Sequence, residues 1–222
     1  MEFPATLTCS PLFRDIPQEE MASLLSSMDA RRRRFARGET VLRRGEPGDR
    51  MGLVLSGTVH IVKEDFWGDR TIVGLARSGE VFGEAYACLG GELLEVTVLA
   101  DADTEVLFLD PSRALSSDRP GGHRFTRNLL ALLAGRDLAL TRKMGHMARR
   151  TTRDKLLSYL SAQALQAGRP EFDIPLDRQQ LADYLAVDRS AMSAALGKLR
   201  DEGVLTFRKN HFRLLRQVED AD

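Results

Sequence analysis

The sequence predicts an α+β protein in three parts. An N-terminal jelly-roll β-barrel with a leading helix occupies residues 1–120, a long dimerisation helix 121–148, and a C-terminal winged helix-turn-helix 149–222. Three observations predict it. Residues 35–110 break into short apolar or alternating runs punctuated by glycine turns, the pattern of an antiparallel barrel. From His123 an apolar stripe with heptad spacing persists for about seven turns, which is helical periodicity. Near the C-terminus two short helical patterns flank the turn Ala186-Val187-Asp188 and precede two short strands.

Residues 11–28, PLFRDIPQEEMASLLSSM, read as the leading helix, with Asp15 as its cap, Pro17 in the first turn and Leu24 and Met28 on one face. Strand candidates follow as ETVLR, MGLVLSG, VHIVKE, RTIVGLA, LLEVTVLA and TEVLFLD. Turn signals separate them at Arg37-Gly38, Gly45 to Gly48, Ser56-Gly57, Trp67-Gly68-Asp69, Ser78-Gly79 and Gly90-Gly91. In the long helix Thr126, Leu130, Leu133, Asp137, Leu140, Met144 and Met147 step alternately by four and three residues. Such a seam favours pairing with the same helix of a second copy, the alternative being a long helix packed on its own barrel. Asp137 interrupts the seam: it is costly if buried there, or it fixes the register.

The stretch TTRDKLLSYLSAQALQAG reads as a further helix with Leu156, Leu157, Leu160 and Leu165 on one side, closing at Gly168. Asp177 caps a short helix over 177–186, and Asp188 caps a second from Arg189 to about Glu202, closed by Gly203. VLTFR and HFRLL form a hairpin around Lys209-Asn210. Leu181, Leu185, Val187, Met192, Leu196 and Leu199 fix the crossing of the two helices. The second helix then offers its N-terminal turn, with Arg189, Ser190 and Ser193, to a major groove. Arg189 suits a bidentate contact with guanine. Gln179, Lys198, Arg200, Arg208, Lys209 and His211 are placed for phosphates, which supply affinity rather than sequence reading.

Composition excludes several classes. Basic and acidic side chains balance at 32 each, with a tilt to +2 from Ala148 onward and −2 before it. No apolar run approaches the roughly 20 residues of a membrane helix, and MEFPATLTCSPLFRD is no secretory signal. No membrane partner is therefore expected. Two thiols, Cys9 and Cys88, in a chain without a signal read as reduced and cytoplasmic, and are too few to hold a structural zinc or an iron–sulfur cluster alone. Only His60 of the four histidines lies in the barrel, and no nucleophile elbow, His-Glu-x-x-His or P-loop occurs. Catalytic residues, metal ligands and cofactors are thus not expected. A haem would have only His60 and Cys88 as barrel ligands, and a thiol switch at Cys88 would have no basic neighbour in sequence.

The order of barrel, long helix and winged helix-turn-helix, with GETVLRRGEPGDRMGLVLSGTVHIV, VFGE and LAVDRSAMSAALGKLRDEGVL, resembles one family of bacterial transcription regulators. It is the family containing the cyclic-AMP receptor protein and the fumarate–nitrate regulator (Crp/Fnr), and the resemblance runs from about Phe13 to Leu215. It implies a cyclic-nucleotide-binding-like barrel and a homodimer on a two-fold symmetric double-stranded DNA site. It also implies a small effector that sets DNA affinity, with RNA polymerase as a further candidate partner. In relatives that bind cyclic nucleotides a Gly-Glu pair opens a phosphate cassette. Its Glu takes the ribose hydroxyl, and an Arg-Ser pair further on takes the cyclic phosphate.

Gly83 and Glu84 keep the Gly-Glu pair, but ungapped alignment puts Leu94 and Glu95 at the Arg-Ser positions. From Ser78 to Ser112 there is no Lys or Arg, against eight Asp and Glu. A phosphate there lacks a charge-assisted partner and meets a carboxylate. Leu140 and Thr141 are the positions that would meet the base. The expected effector pocket, formed by Gly83, Glu84, Tyr86, Cys88, Leu94, Glu95, Leu140 and Thr141, is therefore not one for cyclic AMP. It holds an apolar or cationic effector, or it is filled by its own side chains, Tyr86, Cys88, Leu93 and Leu94. The recognition helix departs too, with Ala194 where many relatives carry Arg and Ser190 where some carry Glu. The preferred DNA sequence is expected to differ accordingly.

Overall fold

The computed structural model describes residues 4–65, 67–115 and 121–215. These form two compact units that divide between Ala134 and Gly135.

In the first unit, after α1 (Ala5–Cys9), a 3-10 turn (Pro11–Phe13) and α2 (Gln18–Ser27) stand where the sequence predicts one helix over 11–28. The break is local. Pro17 disfavours helical backbone at Ile16 before it, Asp15 adopts a left-handed φ of 60°, and Pro17 takes the N-cap position without a side-chain cap. Asp15 is therefore no cap. Leu24 and Met28 are fully buried.

Eight strands follow: β1 (Arg31–Phe35), β2 (Thr40–Leu42), β3 (Met51–Ser56), β4 (Thr58–Glu64), β5 (Arg70–Arg77), β6 (Val81–Phe82), β7 (Thr97–Ala100) and β8 (Thr104–Leu109). They make two antiparallel four-stranded sheets, ordered β1-β8-β3-β6 and β2-β7-β4-β5. Every strand sends at least one side chain into a shared core, among them Phe35, Val41, Val54, Val59, Ala76, Phe82, Val98 and Phe108. In the first sheet the central strand β3 is buried on both faces. Along β3, Val54 faces that core while Met51, Leu53 and Leu55 join Leu12, Phe13, Met21 and Leu24 of the helical layer. A strand covered on both sides loses its polar alternation, which explains the continuous apolar run MGLVL. Gly57 turns β3 into β4 with φ 85°, and a Cβ there would lie 2.4 Å from Thr104 Oγ1.

Two short helices, α3 (Glu84–Leu89) and α4 (Pro111–Leu115), precede α5 (Gly122–Met147). The first half of α5 is anchored on the leading helices. Phe125 is buried beside Phe13 with ring centroids 5.8 Å apart. Asn128 Nδ2 donates to the carbonyls of Leu12 (3.1 Å) and Arg14 (2.8 Å).

The second unit contains the rest of α5, then α6 (Thr152–Ala167), β9 (Glu171–Asp173), α7 (Arg178–Leu185), α8 (Arg189–Asp201), β10 (Leu205–Arg208) and β11 (His211–Leu214). It is a winged helix-turn-helix whose wing is a three-stranded sheet, β10-β11-β9. Leu156, Leu160, Leu181, Leu185, Met192, Leu196, Leu199 and Phe212 form its core. Leu165 is 83% exposed, contrary to the sequence reading. The buried stripe of α6 is Leu156, Tyr159 and Leu160, spaced i, i+3, i+4, and Leu165 lies off that face. Among the described residues no helix is long and apolar enough to cross a membrane.

Candidate nucleic-acid interface and effector cassette

The helix-turn-helix is held by reciprocal caps. Asp177 accepts the Gln180 N–H at 2.8 Å while Gln180 Oε1 accepts the Asp177 N–H at 2.9 Å, satisfying two donors left over at the helix start. Ala186 closes α7 in the left-handed conformation, φ 49°. Asp188 Oδ1 then accepts the N–H groups of Ser190 (2.8 Å) and Ala191 (2.9 Å). The Ser190 hydroxyl and these backbone bonds hold the Asp188 carboxyl below its ordinary range. Lys155 Nζ reaches from α6 to the carbonyls of Leu185 (3.3 Å) and Ala186 (3.4 Å).

Arg189, Ser190, Ser193, Lys198, Arg200, Arg208 and Lys209 are all exposed. Their freedom differs. Ser190 Oγ donates to Asp188 Oδ1 and Ser193 Oγ to the Arg189 carbonyl at 2.9 Å, so both hydroxyls are turned onto their own helix. Gln179 Nε2 donates to Asp183 at 2.8 Å, and Arg200 pairs with Asp201 at 2.9 Å. Lys209 stands at the hairpin turn with φ 53°. His211 is engaged twice, by Glu171 Oε1 and Asp173 Oδ1, each at 3.0 Å. Glu171 first and Asp173 second raise its pKa, and both carboxylates oppose an approaching phosphate. His211, which the sequence places for phosphates, is thus shared with two carboxylates.

Arg178 was missed by sequence reasoning. Its guanidinium lies over the rings of Phe207 (4.8 Å) and Phe212 (5.1 Å), joining the start of α7 to the wing. The aromatic residues are visible in sequence, but their meeting with Arg178 is a tertiary event.

On α5, Leu130, Leu140 and Met144 are 61%, 60% and 69% exposed in the single chain, and Met147 is 37% exposed. Leu133 is different: it packs against the helical core of the first unit. The predicted seam is thus uncovered at four of its apolar positions and partly consumed at one.

In the cassette Gly83 takes φ 72° at the start of α3, and Glu84 is buried. Tyr86 and Leu94 meet over Gly48: a Cβ on Gly48 would lie 2.5 Å from Tyr86 Cβ and 3.2 Å from Leu94 Cδ2. Tyr86 Oη accepts the Glu95 N–H at 3.4 Å, and Leu94 is 2% exposed. Glu95 itself is exposed, with Lys63 Nζ 3.9 Å from Oε2. That lysine, from β4, is a cation the local sequence window did not reveal, and it faces the carboxylate. Of the four side chains expected to fill the pocket, Cys88 and Leu93 lie elsewhere. Cys88 packs with the helical core rather than with Leu94, and burial, then Glu84, push its thiol pKa up, the wrong direction for a reactive thiolate. Leu93 is 56% exposed and fills nothing. Leu140 and Thr141 are exposed on α5, within the second unit. Two clefts of about 410 and 430 Å³, one beside Cys9 and Glu80 and one beside Arg34 and Asp103, include none of the cassette residues in their linings.

Two family models match. Residues 32–116 fit the cyclic nucleotide-binding domain and residues 154–218 the Crp-like helix-turn-helix domain. The chain is 29% identical over 198 residues to the cyclic AMP receptor protein of Thermus thermophilus, covering 88% of each. It is 25% identical to the global nitrogen regulator of Synechococcus elongatus, covering 83% of this chain and 85% of the relative. The crystal structure of the Thermus thermophilus catabolite activator protein superposes with a TM-score of 0.51 over 92% of this chain and 93% of the other, at 29% identity. The c-di-GMP responsive regulator CLP of Xanthomonas campestris shares the fold at 23% identity, with a TM-score of 0.52 and coverage of 88% and 100%. With barrel, long helix and capped recognition helix in this order, the chain belongs to the Crp/Fnr family of DNA-binding transcription regulators.

Proposed function

We propose that the protein acts in the cytoplasm as a homodimer that binds a two-fold symmetric DNA site sequence-specifically and does not respond to cyclic AMP. The observation that carries the DNA reading is α8. Its capped first turn leaves Arg189 exposed at the end that enters a major groove. Lys198, Arg208 and Lys209 supply phosphate contacts around it, with Gln179 and Arg200 available once they leave Asp183 and Asp201. Exposed Leu130, Leu140 and Met144 support the dimer, since a heptad stripe left in water is the face a second copy covers.

The Leu94 and Glu95 substitutions and the packing of Tyr86 over Gly48 support the indifference to cyclic AMP. The same packing favours a second reading, in which the barrel is ligand-free and DNA binding is constitutive.

Fluorescence anisotropy on duplexes selected from a random pool tests these statements. Sequence-dependent binding that Arg189→Ala weakens is expected, unchanged by cyclic AMP. Sedimentation should show a dimer that Leu140→Glu splits. Tightening by cyclic AMP would overturn the cassette reading, and equal binding of selected and scrambled duplexes would overturn the DNA reading.

A further inference from the structure

Within the second unit the last turn of α5 carries a buried imidazole. His146 is 8% exposed. Its Nδ1 lies 2.8 Å from Ser158 Oγ on α6. The ring of Tyr159, also on α6, meets it edge-on at 5.7 Å, and Tyr184 on α7 stands at 6.4 Å. The two tyrosines touch each other at 5.3 Å. One side chain thus joins the end of the long helix to α6 and to the first helix of the helix-turn-helix.

Four basic side chains stand around this cluster. Lys143 of α5 lies 5.4 Å over the Tyr184 ring. Arg142 acts on Tyr184 and Arg149, just beyond α5, on His146 itself. Lys155 of α6 is spent on the carbonyls of Leu185 and Ala186. The phenols of Tyr159 and Tyr184 also face the ring, Tyr159 pushed up to about 12 by burial and then by Tyr184. No carboxylate pairs with His146 among the described residues. An imidazolium in this place would be desolvated and set among cations.

We propose that His146 is a positioning residue that fastens α6 and α7 to the end of α5, and that a proton taken up there releases the helix-turn-helix and weakens DNA binding. The proposal rests on the reading of α8 as the recognition helix. Burial first and Arg149 second lower the His146 pKa from its ordinary 6.5. The proton therefore binds the released form better. The fastening is intact above about pH 6.5 and is lost as pH falls below it. His211 works in the opposite sense, because protonation there adds positive charge on the wing, so an acid-induced loss cannot come from it.

The experiment measures DNA affinity of the full chain from pH 7.5 to 5.5 at fixed salt on a selected duplex. The NMR titration of the His146 ring and backbone hydrogen exchange in α6 and α7 are followed in parallel. Affinity should fall severalfold between pH 7.5 and 5.5, exchange in α6 and α7 should quicken together, and His146→Gln should flatten both profiles. An unchanged acid profile in His146→Gln would overturn the proposal. Should that variant fail to fold, Ser158→Ala decides: the His146 titration and the DNA profile must move together, and a shift in the first alone overturns the assignment. Absence of sequence-dependent binding at pH 7.5 would instead overturn the DNA reading, and the exchange and NMR profiles would still sustain the fastening by coinciding or refute it by diverging.

Discussion

Gly48 and Tyr86 are packed so closely that the glycine has no room for a side chain, a Cβ at Gly48 standing 2.5 Å from that of Tyr86. Gly48→Ala should therefore destabilise the first unit by about 1–3 kcal/mol, the usual cost of overpacking. Denaturant unfolding measures it. Tyr86→Gly, which removes the clashing Cβ itself, should relieve the clash, so those two substitutions should be strongly non-additive, whereas Tyr86→Ala keeps that atom and should not rescue Gly48→Ala.

Arg189→Ala should remove base discrimination worth about 1–3 kcal/mol while leaving most salt-dependent affinity in place. Competition between selected and scrambled duplexes across a salt series separates the two losses. Lys209→Ala should do the reverse, lowering affinity for both duplexes and reducing the salt slope by about one.

Phe212 is fully buried, stacked on Phe172 at 6.3 Å and beneath the Arg178 guanidinium. Phe212→Ala should cost the second unit about 3–5 kcal/mol. Arg178→Ala, which removes only the cation over the rings, should cost about 1 kcal/mol. Thermal unfolding followed by circular dichroism ranks the pair.

Asp29 is held below the ordinary carboxylate range, first by Arg50 and then by Arg31, with Arg50 Nη2 at 2.5 Å. Its contribution is fully present above the ordinary value of 3.8 and is lost as pH falls through the lowered one. Asp29→Asn should flatten the acid limb of the first unit's stability profile. An acid limb identical to that of the parent protein would count against the pair.

Glycine turns and alternating runs made six strands and the recognition module legible, because those signals are local. The elements that escaped lacked such signals. β1 is RRRRF, held by its register with β8 from Arg31↔Phe108 to Phe35↔Thr104 rather than by any alternation of its own. β6 has two residues and β9 three, too short to show a period. In the site, Asp177 and Asp188 were readable as caps because capping spans three residues. The meeting of Tyr86 with Gly48, of Lys63 with Glu95 and of Arg178 with the wing joins segments far apart in sequence, and no local pattern encodes it.

The strand β5 closes one edge of its sheet with Ile72 and Val73 more than half exposed. Apolar side chains beside an unpaired backbone edge invite a neighbouring chain to add a strand. Two features of the same strand oppose it: Arg70 and Arg77 stand at its ends, and the register against β4 slips between Ile61 and Val62, where Val73 is left without a partner. The irregularity kinks the edge and the arginines repel its copies. Deleting Val73 and neutralising both arginines would leave a straight, uncharged edge, and the variant should accumulate as insoluble fibres while the sandwich behind it stays folded.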